Sequence, residues 1–147
     1  MVEKAVIRGR PENLSIGSHT FVGRRVELQA LAKISIGESV VINSDSRILT
    51  GSHDINSPDW HLETSPIEIG DYCWIATGSM LLPGTILSRG VVVGAGSVVK
   101  GQFPENSVIA GNPAKIIKTR KPGGEYRYTP SYNSSAYEAW GHKLVEK

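Results

Sequence analysis

Apolar residues return every six positions through the second half of this chain. Ile69, Ile75, Leu81, Leu87, Val93 and Val99 occupy one unbroken frame. At 39% hydrophobic content, six matches in six arise by chance in roughly 0.4% of frames. Neither the helical period of 3.6 nor the strand period of 2 produces this spacing. One short strand followed by one tight corner does, because six residues then bring each ladder side chain back to the same narrow core. The period therefore predicts an all-β parallel β-helix of hexapeptide repeats.

The first half carries the same ladder with a displacement. Ile16, Val22, Leu28 and Ile34 share one frame, and Ile36, Ile42 and Ile48 continue in a frame shifted by two. This predicts a two-residue insertion at a corner near residues 30–33. Glycine follows the ladder residue at Gly17, Gly23, Gly37, Gly70 and Gly94, where a corner needs positive φ or closely spaced backbones. Segments of the form apolar-x-apolar-Gly, at 14–17, 34–37, 67–70 and 91–94, place two apolar residues on one strand face. The Asn-Gly and Asp-Gly turns of an antiparallel meander are missing between these segments. With three hexads to a turn, four to five coils fit, giving a column about 20–25 Å tall.

Two stretches leave the ladder. Residues 50–65 are polar and acidic, so the reading is a β-helix over 1–118 with a projecting loop at 51–66. A C-terminal tail follows at 119–147, with Lys-Pro-Gly-Gly at 121–124 and then Tyr126, Tyr128, Tyr132, Tyr137 and Trp140. Pure linkers carry few aromatics, so the tail is expected to pack on a neighbouring surface, with a short helix near 135–145. A column this short has a thin core and exposed end coils. Oligomerisation is expected on stability grounds alone.

Length and charge narrow the function classes. At 147 residues and 15.9 kDa the chain suits one domain. A net charge of +2 and pI near 8.7 give no nucleic-acid footprint. The first fourteen residues are charged and lack an apolar run, and no stretch is long enough to span a bilayer. The single cysteine, Cys73, allows no internal disulfide, which points to a reducing, cytoplasmic setting. Cys73 shares strand parity with Ile75, so an inward structural role is expected.

The segments TGSHD (50–54), DYCWIA (71–76), LLPG (81–84), VVVGAGSVVKG (91–101) and AGNPAKIIK (110–118) together resemble the hexapeptide-repeat acyltransferases, the left-handed β-helix enzymes that use acetyl-CoA. The resemblance is greatest to the O-acetyltransferases of colanic-acid-type exopolysaccharide biosynthesis, and more distant to maltose and galactoside acetyltransferases. It covers roughly 34–120. Left-handed coils are implied by the resemblance alone, since the general rule for parallel crossovers is right-handed.

His53 is the leading candidate for chemistry. It stands where a coil strand meets the polar loop, and acetyl transfer to a hydroxyl needs a base for the hydroxyl proton, a role suited to histidine. The resemblance puts the family's catalytic histidine at this position. It likewise implies donor contacts at Trp74, Thr77, Ala95, Lys100, Gly101, Lys115 and Lys118, the last two near the nucleotide end of CoA. Lys115, Lys118, Arg120 and Lys121 form the densest basic patch in the chain, which suits a cofactor with several phosphates. In the loop, Trp60 with Asp54, Asp59 and Glu63 can form a sugar platform, with Asp54 and Trp60 as the acceptor contacts. The histidines at 19, 53, 61 and 142 include no close pair on the regular coils, which argues against the three-imidazole zinc site of γ-type carbonic anhydrases.

These readings imply an acetyl-CoA-dependent O-acetyltransferase acting on a sugar or polysaccharide-precursor hydroxyl. The resemblance also implies a homotrimer with active sites between subunits. A non-catalytic scaffold would need neither His53 nor the basic end; an N-acetyltransferase acting on an amino or nucleotide sugar is the other alternative. One departure bears on the acceptor. Where the sugar acetyltransferases carry an Asn and an Asp, this chain has Arg25 and Ala30 or Leu31, so free maltose or a simple galactoside is not expected. Ser88 stands at a common corner glycine.

Overall fold

The computed structural model describes residue 2 and residues 4–121. The aromatic tail and the helix expected near 135–145 lie outside the described residues. The chain forms β1 (Val6–Gly9), a 3-10 turn at Pro11–Asn13, β2 (Leu14–Ile16), β3 (Phe21–Val22) and β4 (Glu27–Ala30). The next coil is β5 (Ile34–Ile36), β6 (Val41–Ile42) and β7 (Arg47–Leu49). A hairpin of β8 (Gly51–His53) and β9 (Leu62–Thr64) then leaves the column. It resumes with β10 (Ile67–Ile69), β11 (Trp74–Ile75) and β12 (Met80–Leu81), then β13 (Ile86–Leu87), β14 (Val92–Val93) and β15 (Val98–Val99). The final turn is β16 (Gln102–Phe103), β17 (Ser107–Gly111) and β18 (Ala114–Thr119).

Every third strand stacks on its predecessor, so the coils build three flat faces. Face I contains β2, β5, β10, β13 and β16. Face II contains β3, β6, β11, β14 and β17, with β18 added at its edge, and face III contains β1, β4, β7, β12 and β15. All pairings within the column are parallel except β17 with β18. This is the left-handed parallel β-helix of hexapeptide repeats.

Register explains the ladder and its breaks. On face II the stacked residues are Val22, Ile42, Ile75, Val93 and Ile109, separated by 20, 33, 18 and 16 residues. Eighteen is the regular coil of three hexads. The 20-residue coil holds the expected two-residue insertion, between β4 and β5, and the 33-residue coil holds the hairpin. The last coil is two residues short, because only Lys100 and Gly101 separate β15 from β16. Phe103 therefore takes the rung above Leu87, where the unbroken ladder would have put Glu105. A charged residue at that inward position would have been costly to bury.

The ladder residues are the core. Val22, Leu28, Ile34, Ile42, Ile48, Ile75, Leu81, Leu87, Val93 and Val99 are all buried. A second inward position, two residues earlier in each hexad, is occupied by Thr20, Ser46, Ser79, Thr85, Ser97 and Ser107 as well as by Val26, Val40, Cys73 and Val91. The hydroxyls are satisfied by corner carbonyls: Ser79 Oγ donates to Ala76 O at 2.8 Å, Thr85 Oγ1 to Leu82 O at 2.7 Å and Ser107 Oγ to Pro104 O at 2.6 Å. A buried hydroxyl so paired avoids the desolvation cost of an orphaned one. The sequence ladder gave no sign of these polar residues inside.

The corner glycines have one of the two expected causes. Gly17, Gly23, Gly37, Gly70 and Gly94 are all outside the positive-φ set; backbone crowding selects the first four, and at Gly94 a Cβ would press on the Ala110 methyl at 3.0 Å. A Cβ on Gly17 would lie 2.5 Å from the carbonyl carbon of Gly37, and one on Gly70 would lie 2.8 Å from the Arg89 nitrogen. The left-handed corner positions fall elsewhere, and side chains fill many of them: His19, Ser39, Tyr72 and Asn106 at the corner between faces I and II, Arg25 and Asp45 at the next.

Leu81 is fully buried, stacked between Ile48 and Val99. Leu81→Ala is expected to destabilise the fold by about 2–5 kcal/mol, the range for a core leucine deletion. Chemical denaturation of the two chains measures the difference, and the neighbouring outward change Met80→Ala should cost much less.

Candidate functional site

His53 sits on a hairpin built out of the corner between faces III and I. Thr50, fully buried, roots it: its Oγ1 accepts the N–H groups of Leu31 at 3.1 Å and Ala32 at 3.0 Å and donates to Gln29 O at 2.5 Å. The Ser65 N–H closes the base on Thr50 O at 2.9 Å. β8 and β9 then pair antiparallel, with Gly51 opposite Thr64, Ser52 opposite Glu63 and His53 opposite Leu62. The polar loop expected from the sequence is thus a two-stranded ribbon with an ordered tip.

The tip is a pair of linked turns. The Asp54 N–H donates to His61 O at 2.8 Å, Ser57 N–H to Asp54 O at 3.2 Å, and Trp60 N–H to Ser57 O at 3.2 Å. The Asp54 carboxylate accepts the Asn56 N–H at 2.9 Å, and the Ser57 hydroxyl donates to the Asp59 carboxylate. Trp60 has φ +50°, and its carbonyl oxygen lies 2.6 Å from His53 Nδ1. A carbonyl only accepts, so Nδ1 carries the proton, and in the neutral ring Nε2 keeps its lone pair. His53 is exposed, so that lone pair is accessible. Nothing in the sequence signalled a partner seven residues away through a backbone atom.

The remaining candidates fall into two groups on the column. Trp74 lies on the outer surface of face II, 49% exposed, with its indole N–H donating to Asn43 Oδ1 at 2.7 Å. Its rung neighbours are Val92, then Val108, then Lys118. Three strand spacings therefore carry one outward row from Trp74 to Lys118, about 14 Å. Lys115 pairs with Ala110 on the same edge strand, and both lysines are exposed. Arg120 holds this end in place, its Nη1 donating to Gly90 O at 3.1 Å. Thr77 and Ala95 stack at the corner between faces II and III, where the Gly96 N–H donates to Thr77 O at 3.0 Å. Lys100 and Gly101 form the shortened corner between faces III and I, the corner from which the hairpin springs two coils earlier.

One chain thus joins Trp74, Lys115 and Lys118 on face II, with Thr77 and Ala95 at its border. His53, Asp54 and Trp60 belong to the hairpin, at another corner. A groove of about 580 Å³ on face I, lined by Glu68, Ile86, Arg89 and Glu105 among others, includes none of the expected site residues. Arg25 is bound to Asp45 by two parallel hydrogen bonds of 2.6 and 2.8 Å. Ala30 is buried, and Leu31 is 38% exposed.

Residues 66–101 match the family model described as "Bacterial transferase hexapeptide (six repeats)". The chain carries the hexapeptide repeat of bacterial transferases. It is 42% identical over 110 residues to WcaF of Escherichia coli K12, named for colanic acid biosynthesis acetyltransferase, covering 75% of this chain and 60% of that protein. The chain thus spans less than two thirds of that relative's length. Among solved structures, a maltose O-acetyltransferase from Clostridium difficile 630 is 29% identical with a TM-score of 0.71, over 82% of this chain and 69% of that one. A hexapeptide-repeat acetyltransferase from Vibrio cholerae, complexed with acetyl coenzyme A, is 26% identical with a TM-score of 0.73, over 82% and 70%.

Among the described residues, no cluster of three His, Cys, Asp or Glu side chains could hold a metal, and no helix is long and apolar enough to cross a membrane. Cys73 is buried and donates its thiol proton to Ser88 O at 3.2 Å. Burial pushes the thiol up from 9.0 to about 12, so it is a core group and a poor nucleophile. Below pH 9 the thiol is protonated in both folded and unfolded chains and contributes no pH dependence. Between pH 9 and about 12 the unfolded chain loses this proton while the folded chain keeps it, so stability falls as pH rises. Comparing unfolding free energies from pH 8 to 11, the wild type should lose stability more steeply than Cys73→Ala, by up to about 1.4 kcal/mol per unit.

Proposed function

We propose that the chain is an acetyl-CoA-dependent O-acetyltransferase that modifies a sugar or polysaccharide-precursor hydroxyl, with His53 as general base. The observation that carries the chemistry is the 2.6 Å bond between His53 Nδ1 and Trp60 O. It fixes the tautomer that presents a basic nitrogen to solvent. The acetyl-CoA complex of the Vibrio relative supports the donor, and the colanic acid relative supports the acceptor class. A reducing cytoplasm suits the unpaired Cys73.

In this reading His53 Nε2 removes the proton of the acceptor hydroxyl as its oxygen attacks the thioester carbonyl carbon. The C–S bond then breaks, and the imidazolium returns the proton to the departing sulfur. No acyl-enzyme is required, because proximity alone suffices to bring hydroxyl and thioester together. Trp74, Thr77 and Ala95 offer the donor an exposed indole beside a smooth corner, Lys100 and Gly101 border the hairpin corner, and Lys115 and Lys118 offer charge to its phosphates. Trp60, 69% exposed, offers an indole face to a sugar ring. With Ala30 buried and Arg25 committed to Asp45, the acceptor contacts of simple sugar acetyltransferases are missing, which favours a larger glycan precursor.

His53→Ala should leave the fold intact, since the hairpin stands outside the core, and lower kcat by on the order of 10²–10⁴. Steady-state acetyl-CoA turnover with a panel of glycan acceptors measures it; an Ala variant with wild-type turnover overturns the base assignment.

The separation of the hairpin from face II supports a homotrimer in which each active site combines the hairpin of one column with the donor face of the next. Folding and association should then be linked. Mixing a His53→Ala chain with a Trp74→Ala/Lys118→Ala chain should restore activity that neither has alone, because some clefts receive both intact halves. A fully active monomer by light scattering would overturn the shared site, as would a failure to complement after demonstrated subunit exchange.

A further inference from the structure

Asp54 stands next to His53 and, by type, suits a carboxylate contact to a sugar hydroxyl. Its surroundings give it other work. Its N–H is held by His61 O, its carbonyl by the Ser57 N–H, and its carboxylate by the Asn56 N–H. Those three bonds fix the start of the first turn. Ser57 then links the two turns: its carbonyl accepts the Trp60 N–H at 3.2 Å and its Oγ accepts the His61 N–H at 3.3 Å. The second turn ends on Trp60 in the left-handed region, an uncommon conformation for a bulky residue. A left-handed non-glycine residue persists where its surroundings over-determine it. Here it aims the Trp60 carbonyl at His53 Nδ1.

We propose that Asp54 is a positioning residue for His53, acting through the Asp54–Ser57–Trp60 turns on the Trp60 carbonyl, and that it does not bind the acceptor. This rests on the reading of His53 as general base. The carboxylate caps the turn with one oxygen acting only as an acceptor. Asparagine supplies the same acceptor without the charge, and alanine supplies none. A cap and a sugar contact therefore part company at Asp54→Asn. An imidazole misaimed by a relaxed turn loses kcat, because the base then sits off line from the hydroxyl.

The test compares Asp54→Ala and Asp54→Asn by steady-state kinetics and by ¹⁵N NMR of the imidazole. Asp54→Ala should lower kcat on the order of 10–100-fold, with KM for acetyl-CoA within about two-fold and the thermal midpoint of the column unchanged. Its His53 signals should move from the single Nδ1–H form toward a mixture of tautomers. Asp54→Asn should recover most of kcat and the Nδ1–H signature. Wild-type kcat and an unchanged tautomer in Asp54→Ala would overturn the proposal. So would an Asp54→Asn chain as impaired as Asp54→Ala with a raised acceptor KM, because the carboxylate would then be touching the acceptor. His53→Ala, run in parallel, separates the two levels: wild-type turnover there overturns the general-base reading, while the tautomer measurement still decides what Asp54 does to the ring.

Discussion

Parallel stacking with an 18-residue repeat governs everything else in this molecule. Each backbone rung sits about 4.8 Å from the next, so an inward side chain meets the same position one coil earlier and one coil later. Ile42, Ile75 and Val93 form such a stack, as do Ile48, Leu81 and Val99. A coil whose ladder residue changed size or polarity would disturb both neighbours, which is why the buried ladder positions are all Ile, Leu or Val. The same spacing leaves no room for a Cβ where corners press together, as between Gly17 and Gly37. Corner glycines and ladder residues are thus two consequences of one distance.

Length changes are tolerated only where the chain can rejoin the stack in register. Two residues are added between β4 and β5, fifteen between β7 and β10, and two removed between β15 and β16, all at the corner between faces III and I. The long insertion is the informative one. Thr50 anchors it from below through three backbone partners, and the Ser65 N–H seals it from above. Adding chain at a closed corner costs little loop entropy, so the column can carry a ribbon that contributes nothing to its core. That ribbon is where His53 lies. A rigid base with a tunable insertion presents a side chain clear of the column without disturbing the core.

Much of this was legible in the residues. The six-residue period gave the coil, and the frame shift of two between Ile34 and Ile36 gave the inserted corner. The parity of Cys73 relative to Ile75 correctly put its side chain inside. What stayed hidden has a common physical character: it depends on backbone atoms. The carbonyl of Trp60 that orients His53 has no side-chain signature, and a left-handed tryptophan is not a residue choice that announces a turn. The hydroxyls of Ser79, Thr85 and Ser107 look like surface residues until the corner carbonyls that satisfy them are located. The shortened corner at Lys100 and Gly101 also escaped, because the frame beyond it is only two rungs long, Phe103 and Ile109.

The outer surfaces of the column are as uneven as its corners. On face I the outward row runs Ser15, Ser35, Glu68, Ile86 and Gln102. On face II the equivalent row runs Phe21, Val41, Trp74, Val92 and Val108 before reaching Lys118. Polar residues would serve equally well on a face turned wholly to water, since outward strand positions gain nothing from apolar side chains until something covers them. A thin column gains most by covering that face, where five successive rungs are already dehydrated in composition. In the proposed reading, the covered face is also the donor face. Trp74 then stands in the middle of an apolar row whose far end is cationic, an arrangement matched to a molecule with an uncharged thioester arm and a phosphorylated terminus. The hairpin supplies what a flat face cannot, a directed nitrogen held by a carbonyl rather than by a charge. In that reading stability and chemistry draw on the same surface, and a substitution on face II is expected to move both together.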